Sequence, residues 1–304
     1  MLIFGGTGFL GKHLCAMLHN HKYSDVMVVS RNPDRGFLER FAPSVRSVSL
    51  SDFLQSPTSF DWDRKNIVYL AGNSTPSTFA GAPWREFSEN VAPTFVLFKQ
   101  LHESFPSAKF VYISSGGTVY GKDHCEPIQE DAHLEPISAY GLGKVVSEKT
   151  LEFLGRTEGV NFDILRVSNP VGKWQSNPTQ GVVNVMVRAV TSNRPIQLFG
   201  DGSYIRDFLD ADDVAIAIMK FCNLPAASNA AWNIGSGTGT SIAEVVRLIE
   251  EHFQIRAEKQ FLPTRELDVR YSVLDCRKVK AVLNWSAGGD VGQMLKGLSV
   301  DNHG

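Results

Sequence analysis

Long apolar runs are missing from this chain of 304 residues, and so is any marked excess of charge. No stretch reaches the roughly 18 consecutive apolar residues of a membrane span. Lys and Arg total 30 against 32 Asp and Glu, a formal net charge of -2. That is too little for bulk charge to hold a nucleic acid or an anionic membrane, so any anion must be bound by a local cluster. Cysteine is scarce. Cys15, Cys125, Cys222 and Cys276 show no paired spacing, which argues against a disulfide framework or a zinc site and leaves buried free thiols as the simpler reading. His19 and His21 have no third ligand at helical spacing, so they read as a solvated helix end and no metal is expected. An internal repeat and a low-complexity tract are lacking too. No basic-then-apolar leader precedes Met1-Leu2-Ile3-Phe4, which makes the cytoplasm the expected location.

What is present is an ordinary globular composition, 43% hydrophobic and 20% charged, arranged in a regular rhythm. Short apolar strands are expected at Met1 to Phe4, Val26 to Ser30, Ser47 to Leu50, Ile67 to Ala71, Phe110 to Ser114 and Phe162 to Val167. Helices are expected at Phe9 to His19, Val91 to Glu103 and Ala139 to Leu154, the last with Ser138 as N-cap and Gly155 as its stop. The alternation implies an α/β fold, a doubly wound parallel sheet. After Arg166 the pattern loosens into Asn169-Pro170-Val171-Gly172 and a Ser-, Asn- and Pro-containing stretch to Gly181. We therefore expect residues 1–167 with 206–224 to form a dinucleotide-binding domain, and 168–205 with 225–304 a smaller, interleaved substrate domain.

Two motifs carry chemistry. Gly5-Gly6-Thr7-Gly8-Phe9-Leu10-Gly11 follows a strand and opens a helix, the context in which glycines let the backbone approach a pyrophosphate at a helix N-terminus. A turn without a ligand is the weaker alternative. The acidic residue that would hold the ribose of NAD, about 20 positions on, is missing. The second strand ends in Ser30-Arg31 instead, which favours NADP(H) unless Arg31 is only a solvated cation. Asp52 either accepts from the adenine amino group or caps a turn. Further along, Tyr140 and Lys144 stand four residues apart, so on a helix they share one face. An ammonium beside a phenol lowers a pKa that is otherwise about 10, making Tyr140 a proton acceptor for redox chemistry on an alcohol. Gly141 and Gly143 between them are costly in a helix, each by about 1 kcal/mol, so something must need close backbone approach.

With these in place the chain resembles the extended short-chain dehydrogenase/reductase superfamily, in its nucleotide-sugar epimerase/dehydratase branch. The matching segments are the glycine turn, Tyr69-Leu70-Ala71-Gly72, Asn90-Val91, Phe110 to Gly121, Tyr140 to Lys144, Arg166 to Pro170, Gly200 to Asp213, and Asn233 to Gly237. The resemblance implies that Tyr140 is the acid/base and Lys144 its partner. It implies a cofactor held by Gly5, Gly8, Phe9, Leu10, Gly11, Ser30, Arg31, Asp52, Leu70, Ala71, Gly72, Asn90 and Ser114, together with the Tyr140–Lys144 pair. It implies a nucleoside-diphosphate sugar on Asn169, Arg206, Arg265 and Asp268, with Ser272 leaving room at the sugar's carbon 2. Arg206, Arg265 and Asp268 would otherwise be surface ion pairs. The acids Asp212 and Asp213 read as a helix N-cap.

One position departs from the family. The catalytic Ser or Thr is expected where Gly116 stands, so Ser115, or else Thr118, must supply the hydroxyl. The leading expectation is a nucleotide-sugar 4-epimerase on a UDP-hexose or UDP-N-acetylhexosamine, carrying NAD and forming a homodimer through two helices, near Val91 to Glu103 and Ala139 to Leu154. The rival within the family is an NADPH-dependent 4-ketoreductase, favoured by Ser30-Arg31. A 4,6-dehydratase is disfavoured, because this chain has Gly116-Gly117-Thr118 where those enzymes usually carry Thr-Asp-Glu. A non-catalytic dinucleotide-binding protein is the alternative of another class.

Overall fold

The computed structural model describes residues 1–60, 62–63, 65–264 and 269–298. Along the chain run β1 (Leu2–Phe4), α1 (Phe9–Asn20), β2 (Met27–Ser30), α2 (Arg35–Phe41), β3 (Arg46–Ser49), α3 (Leu50–Gln55), β4 (Asn66–Tyr69), α4 (Trp84–Glu86), a π-helical turn (Phe87–Val91) and α5 (Ala92–Ser104). There follow β5 (Lys109–Ser115), α6 (Gly116–Val119), α7 (Ala139–Glu158), β6 (Asn161–Val167), β7 (Asn169–Val171), α8 (Val182–Thr191), β8 (Ile196–Phe199), β9 (Ile205–Asp210) and α9 (Ala211–Asn223). The remainder is β10 (Ala230–Ile234), β11 (Gly239–Ser241), α10 (Ile242–Phe253), β12 (Lys259–Leu262), β13 (Tyr271–Ser272), α11 (Arg277–Leu283) and α12 (Val291–Leu295).

Seven strands form the main sheet in the order β10-β6-β5-β4-β1-β2-β3. The pairs from β3 through β5 are parallel. Strands such as Leu2-Ile3-Phe4 are buried throughout, as expected when helices cover both faces of a parallel sheet. The order reverses between β1 and β4, and the carboxyl ends at such a reversal are where α/β sheets hold ligands. Register brings Phe4, Tyr69 and Tyr112 side by side across that point, with ring centroids 5.9 and 6.0 Å apart. Fully buried Phe53, Phe98 and Phe110 continue the core beneath them, each burial worth about 1.5–3 kcal/mol.

The expected doubly wound α/β sheet is therefore present, and several finer expectations shift. Ser138 caps α7 by accepting from the Gly141 amide at 3.1 Å, but Gly155 does not stop the helix. A Cβ there would lie 2.7 Å from a ring carbon of Phe162, so this glycine serves close packing. The helix runs on to Gly159, whose φ of 76° supplies the left-handed cap. Asp212 and Asp213 lie in the first turn of α9, and it is Asp210 that accepts from the Asp212 amide at 2.8 Å. Cys15 and Cys222 are buried, whereas Cys125 is exposed. No described helix is long and apolar enough to cross a membrane.

The chain divides into two compact units, 1–115 with 138–166 and 215–232, and 116–137 with 167–214 and 233–304. Residues 116–137 and β9 fall in the second unit, where sequence reasoning assigns them to the dinucleotide-binding domain. In that unit β9 pairs with β7, β11 and β13. A separate apolar cluster of Val187, Ile196, Phe208, Val245, Ile249 and Leu295 supports it.

Candidate active site

In the first unit the glycine turn joins β1 to α1. Gly5 has φ +80°, and a Cβ on it would stand 2.8 Å from the Ala71 amide nitrogen. One on Gly11 would meet the Gly5 carbonyl oxygen at 2.3 Å, so neither position admits a side chain. Gly8, exposed at the N-cap of α1, offers no side-chain cap, and no acid lies in the first turn. The helix N-terminus thus keeps free N–H groups and an unneutralised positive dipole end, and it fits the pyrophosphate of a dinucleotide. Phe9 and Leu10 are half-buried beside it.

Other expected cofactor positions arrange around this turn. Thr7 donates to Ser30 at 3.3 Å, and Arg31 is exposed. Asp52 lies in the first turn of α3, whose cap is Ser49, accepting from the Asp52 amide at 3.1 Å. The Leu70 amide donates to the Phe4 carbonyl at 2.9 Å, which keeps Leu70, Ala71 and Gly72 at the sheet's carboxyl edge. Asn90, on the π turn, donates to Ser74 at 3.1 Å and accepts from the Asn73 amide at 3.4 Å. It therefore pins the loop after Gly72. Ser114 is committed elsewhere: its hydroxyl donates to Glu148 in the core.

Tyr140 and Lys144 open α7 and are both half-buried. The Tyr140 phenol hydrogen-bonds Ser115, which holds its pKa down, but burial outweighs this and pushes it up to about 12, with Glu86 adding to the rise. The expected lowering by Lys144 is absent. Lys144 donates to the Ile113 carbonyl at 2.9 Å, and its Nζ lies 5.0 Å from the Tyr112 ring centroid and 5.7 Å from that of Tyr140. Burial takes Lys144 down to about 8, opposed by the charges of Glu86 and Glu148. In this protein, then, desolvation governs both groups.

Sequence reasoning misses the acids under this pair. Glu148 is one helical turn beyond Lys144, a spacing that puts it on the same face. It is 0% exposed, and Arg166, 4% exposed, donates to it with two nitrogens, the shorter bond 2.7 Å. Stranding one partner of such a buried pair costs about 3–5 kcal/mol. Glu86 carries no motif at all, and only the glycine at position 143 hints at it.

In the second unit the strand period of two separates Arg206 from Asp207. Asp207 is buried and accepts from the amides of Ser236, Gly237 and Leu274, while Arg206 is half-buried and pairs in register with Ser272. Asn169 donates to the Asp207 carbonyl at 3.0 Å. A Cβ on Gly117 would stand 3.8 Å from the Asn169 amide group and 4.0 Å from the Ser272 hydroxyl, so two of the expected substrate positions meet at a glycine. Thr118 is half-buried in α6. Arg265 and Asp268 lie outside the described residues.

Residues 1–235 match the NAD dependent epimerase/dehydratase family. A putative UDP-glucose 4-epimerase of Methanocaldococcus jannaschii is 29% identical, over 97% of this chain and 96% of its own length. A dTDP-4-dehydro-6-deoxyglucose reductase of Escherichia coli is also 29% identical, over 94% and 92%. Among solved structures, that of a UDP-glucose 4-epimerase with UDP-glucose from Thermotoga maritima superposes with a TM-score of 0.87. It is 29% identical, covering 97% of this chain and 96% of that one.

Proposed function

The chain belongs to the NAD-dependent epimerase/dehydratase family, and within it we propose that it is a nucleotide-sugar 4-epimerase acting on a UDP-hexose or UDP-N-acetylhexosamine. The observation that carries this is the convergence of Ser115, Tyr140 and Lys144 on β5 and α7, in the same unit as a glycine turn whose helix N-terminus fits a dinucleotide. When bound, the dinucleotide supplies the hydride acceptor and donor for the sugar carbon. The chain's own part is proton handling. Tyr140 takes the proton of the C4 hydroxyl and returns it, a step typically worth about 10²- to 10⁴-fold. Ser115 fills the role that Gly116 cannot, because its hydroxyl already engages the phenol. Lys144 supplies positive charge next to both.

The nucleoside diphosphate is assigned to the second unit. Arg206 would pair with the pyrophosphate, since its planar fork bonds two oxygens, a role the family resemblance gives to Arg265 as well. Asn169 would contact phosphate or sugar, Asp268 the nucleoside, and Ser272 would line the space at carbon 2. Two relatives named as UDP-glucose 4-epimerases support this substrate class. A homodimer belongs to the same reading, through the apolar side chains that α5 and α7 leave exposed: Phe95, Val96, Leu142 and Phe153.

A second reading, an NADPH-dependent 4-ketoreductase, is favoured by Ser30 and Arg31 and by the reductase relative. Denaturing the purified protein and weighing the released nucleotide separates the two. Retained NAD supports the epimerase; an empty site that takes up NADPH rejects it.

A further inference from the structure

Gly143 lies on α7 between Tyr140 and Lys144, and the space that its side chain would fill holds Glu86. A Cβ on Gly143 would stand 2.7 Å from both Cγ and Oε1 of Glu86, well inside the 3.5–4.0 Å of carbon contact. The carboxylate therefore rests on the helix backbone three residues after the tyrosine and one before the lysine. Glu86 is 3% exposed, and its Oε2 has no hydrogen-bond partner. A buried carboxylate in that state is costly unless a nearby charge compensates it. The backbone that places it is irregular as well. Glu86 ends α4, and the chain then makes the π-helical turn Phe87–Val91 before α5, a form that often marks functional sites.

Charged and titratable groups lie on α7, on β5 and on Glu86's own segment. On α7 stand Tyr140, Lys144 and Glu148, and on β5 Tyr112. On Glu86's own segment, Arg85 and Glu89 bond each other at 2.7 Å. Arg166 of β6 is spent on Glu148. Lys144 is thus the cation whose charge Glu86 supports.

We propose that Glu86 is a positioning residue for the proton transfer: its carboxylate, lodged against Gly143, keeps the Lys144 ammonium charged beside Tyr140. This rests on the reading of Tyr140 as acid/base. Glu86 opposes the burial that strips Lys144 of its proton, and it also makes Tyr140 harder to ionise. Removing its charge moves both groups the same way, so both limbs of the pH profile move to lower pH.

The test compares wild type, Glu86→Gln and Glu86→Asp. Turnover of UDP-glucose to UDP-galactose is followed from pH 5 to 11. Separately, with no substrate present, Tyr140 is titrated by ¹³Cζ-tyrosine NMR, the resonance being assigned with Tyr140→Phe. For Glu86→Gln we expect the Lys144 limb and the Tyr140 titration to move down by about one pH unit, a tenfold change in each ionisation constant. KM should stay within about twofold. Glu86→Asp, with charge kept, should return the limbs to wild-type positions. A Glu86→Gln protein whose Tyr140 titrates as in wild type overturns the proposal even if its melting temperature falls. Should wild type itself turn over no substrate, the functional reading fails, and the NMR titration still decides the role of Glu86. If Glu86→Gln does not fold, Glu86→Asp decides by the same titration: unmoved limbs support the charge, displaced limbs reject it.

Discussion

The Tyr140 phenol is hydrogen-bonded by Ser115, while Lys144, one helical turn on, reaches the Ile113 carbonyl of the same strand. Hydroxyl and ammonium thus meet β5 two residues apart, and the phenol stands with the hydroxyl. In the proposed reaction the acid/base would be prepared by its strand neighbour, with the lysine supplying charge from the side.

Replacing Tyr140 with Phe removes the proposed proton acceptor and leaves the glycine turn untouched. Turnover should fall by about 10²- to 10⁴-fold, with dinucleotide affinity within a few-fold of wild type by calorimetry. Unchanged turnover would mean that the chain's activity does not use this site.

Ser115→Ala should act through pH. The Ser115 bond holds the Tyr140 pKa down against burial, so its loss lets that pKa rise and moves the acid limb to higher pH. At neutral pH the ionised fraction falls about tenfold for every step of one in that pKa. Thr118→Ala should leave the limb where it was. Equal and negligible effects in pH-rate measurements would reject both hydroxyls.

The two ends of the glycine turn should fail differently. A Cβ on Gly11 would overlap the Gly5 carbonyl at 2.3 Å, whereas one on Gly8 would approach it only to 3.3 Å. Gly11→Ala should cost about 1–3 kcal/mol of stability by overpacking. Gly8→Ala should melt near wild type yet bind dinucleotide at least tenfold more weakly, because the new methyl sits where the pyrophosphate would approach. Thermal melts and calorimetry on the same preparations check both.

Val96 and Leu142 are exposed on α5 and α7, an arrangement that suits burial in a dimer. Val96→Glu with Leu142→Glu should convert a dimer to a monomer in light scattering after gel filtration. A wild-type protein that is monomeric at micromolar concentration would remove this face from the account.

Local chemistry explains what is legible in the sequence. The glycine turn, the strands and the Ser138 cap are written in neighbouring residues, and the structure contains all three. Gly155 misleads because a glycine that admits Phe162 looks, in one dimension, like a glycine that ends a helix. Spacing overstates the lysine's effect on Tyr140, since it gives a shared face but neither burial nor the direction of an ammonium. Glu86 and Gly143, distant in sequence, touch only because the π turn and α7 pack together. No periodicity records such a contact. Asp207 lies in the Gly200 to Asp213 segment with nothing in its neighbours to mark its role, yet it is the internal acceptor for three amides.

The central claim is epimerisation at carbon 4 by a protein that retains its dinucleotide. Purified protein should be mixed with UDP-galactose and, separately, UDP-N-acetylgalactosamine, with no nucleotide cofactor added, and followed by proton NMR. The account predicts conversion of at least one of them toward its gluco partner, with no net oxidation or reduction. Failure to interconvert any gluco and galacto pair, with NADPH consumed instead on a 4-keto-6-deoxy sugar nucleotide, would contradict it.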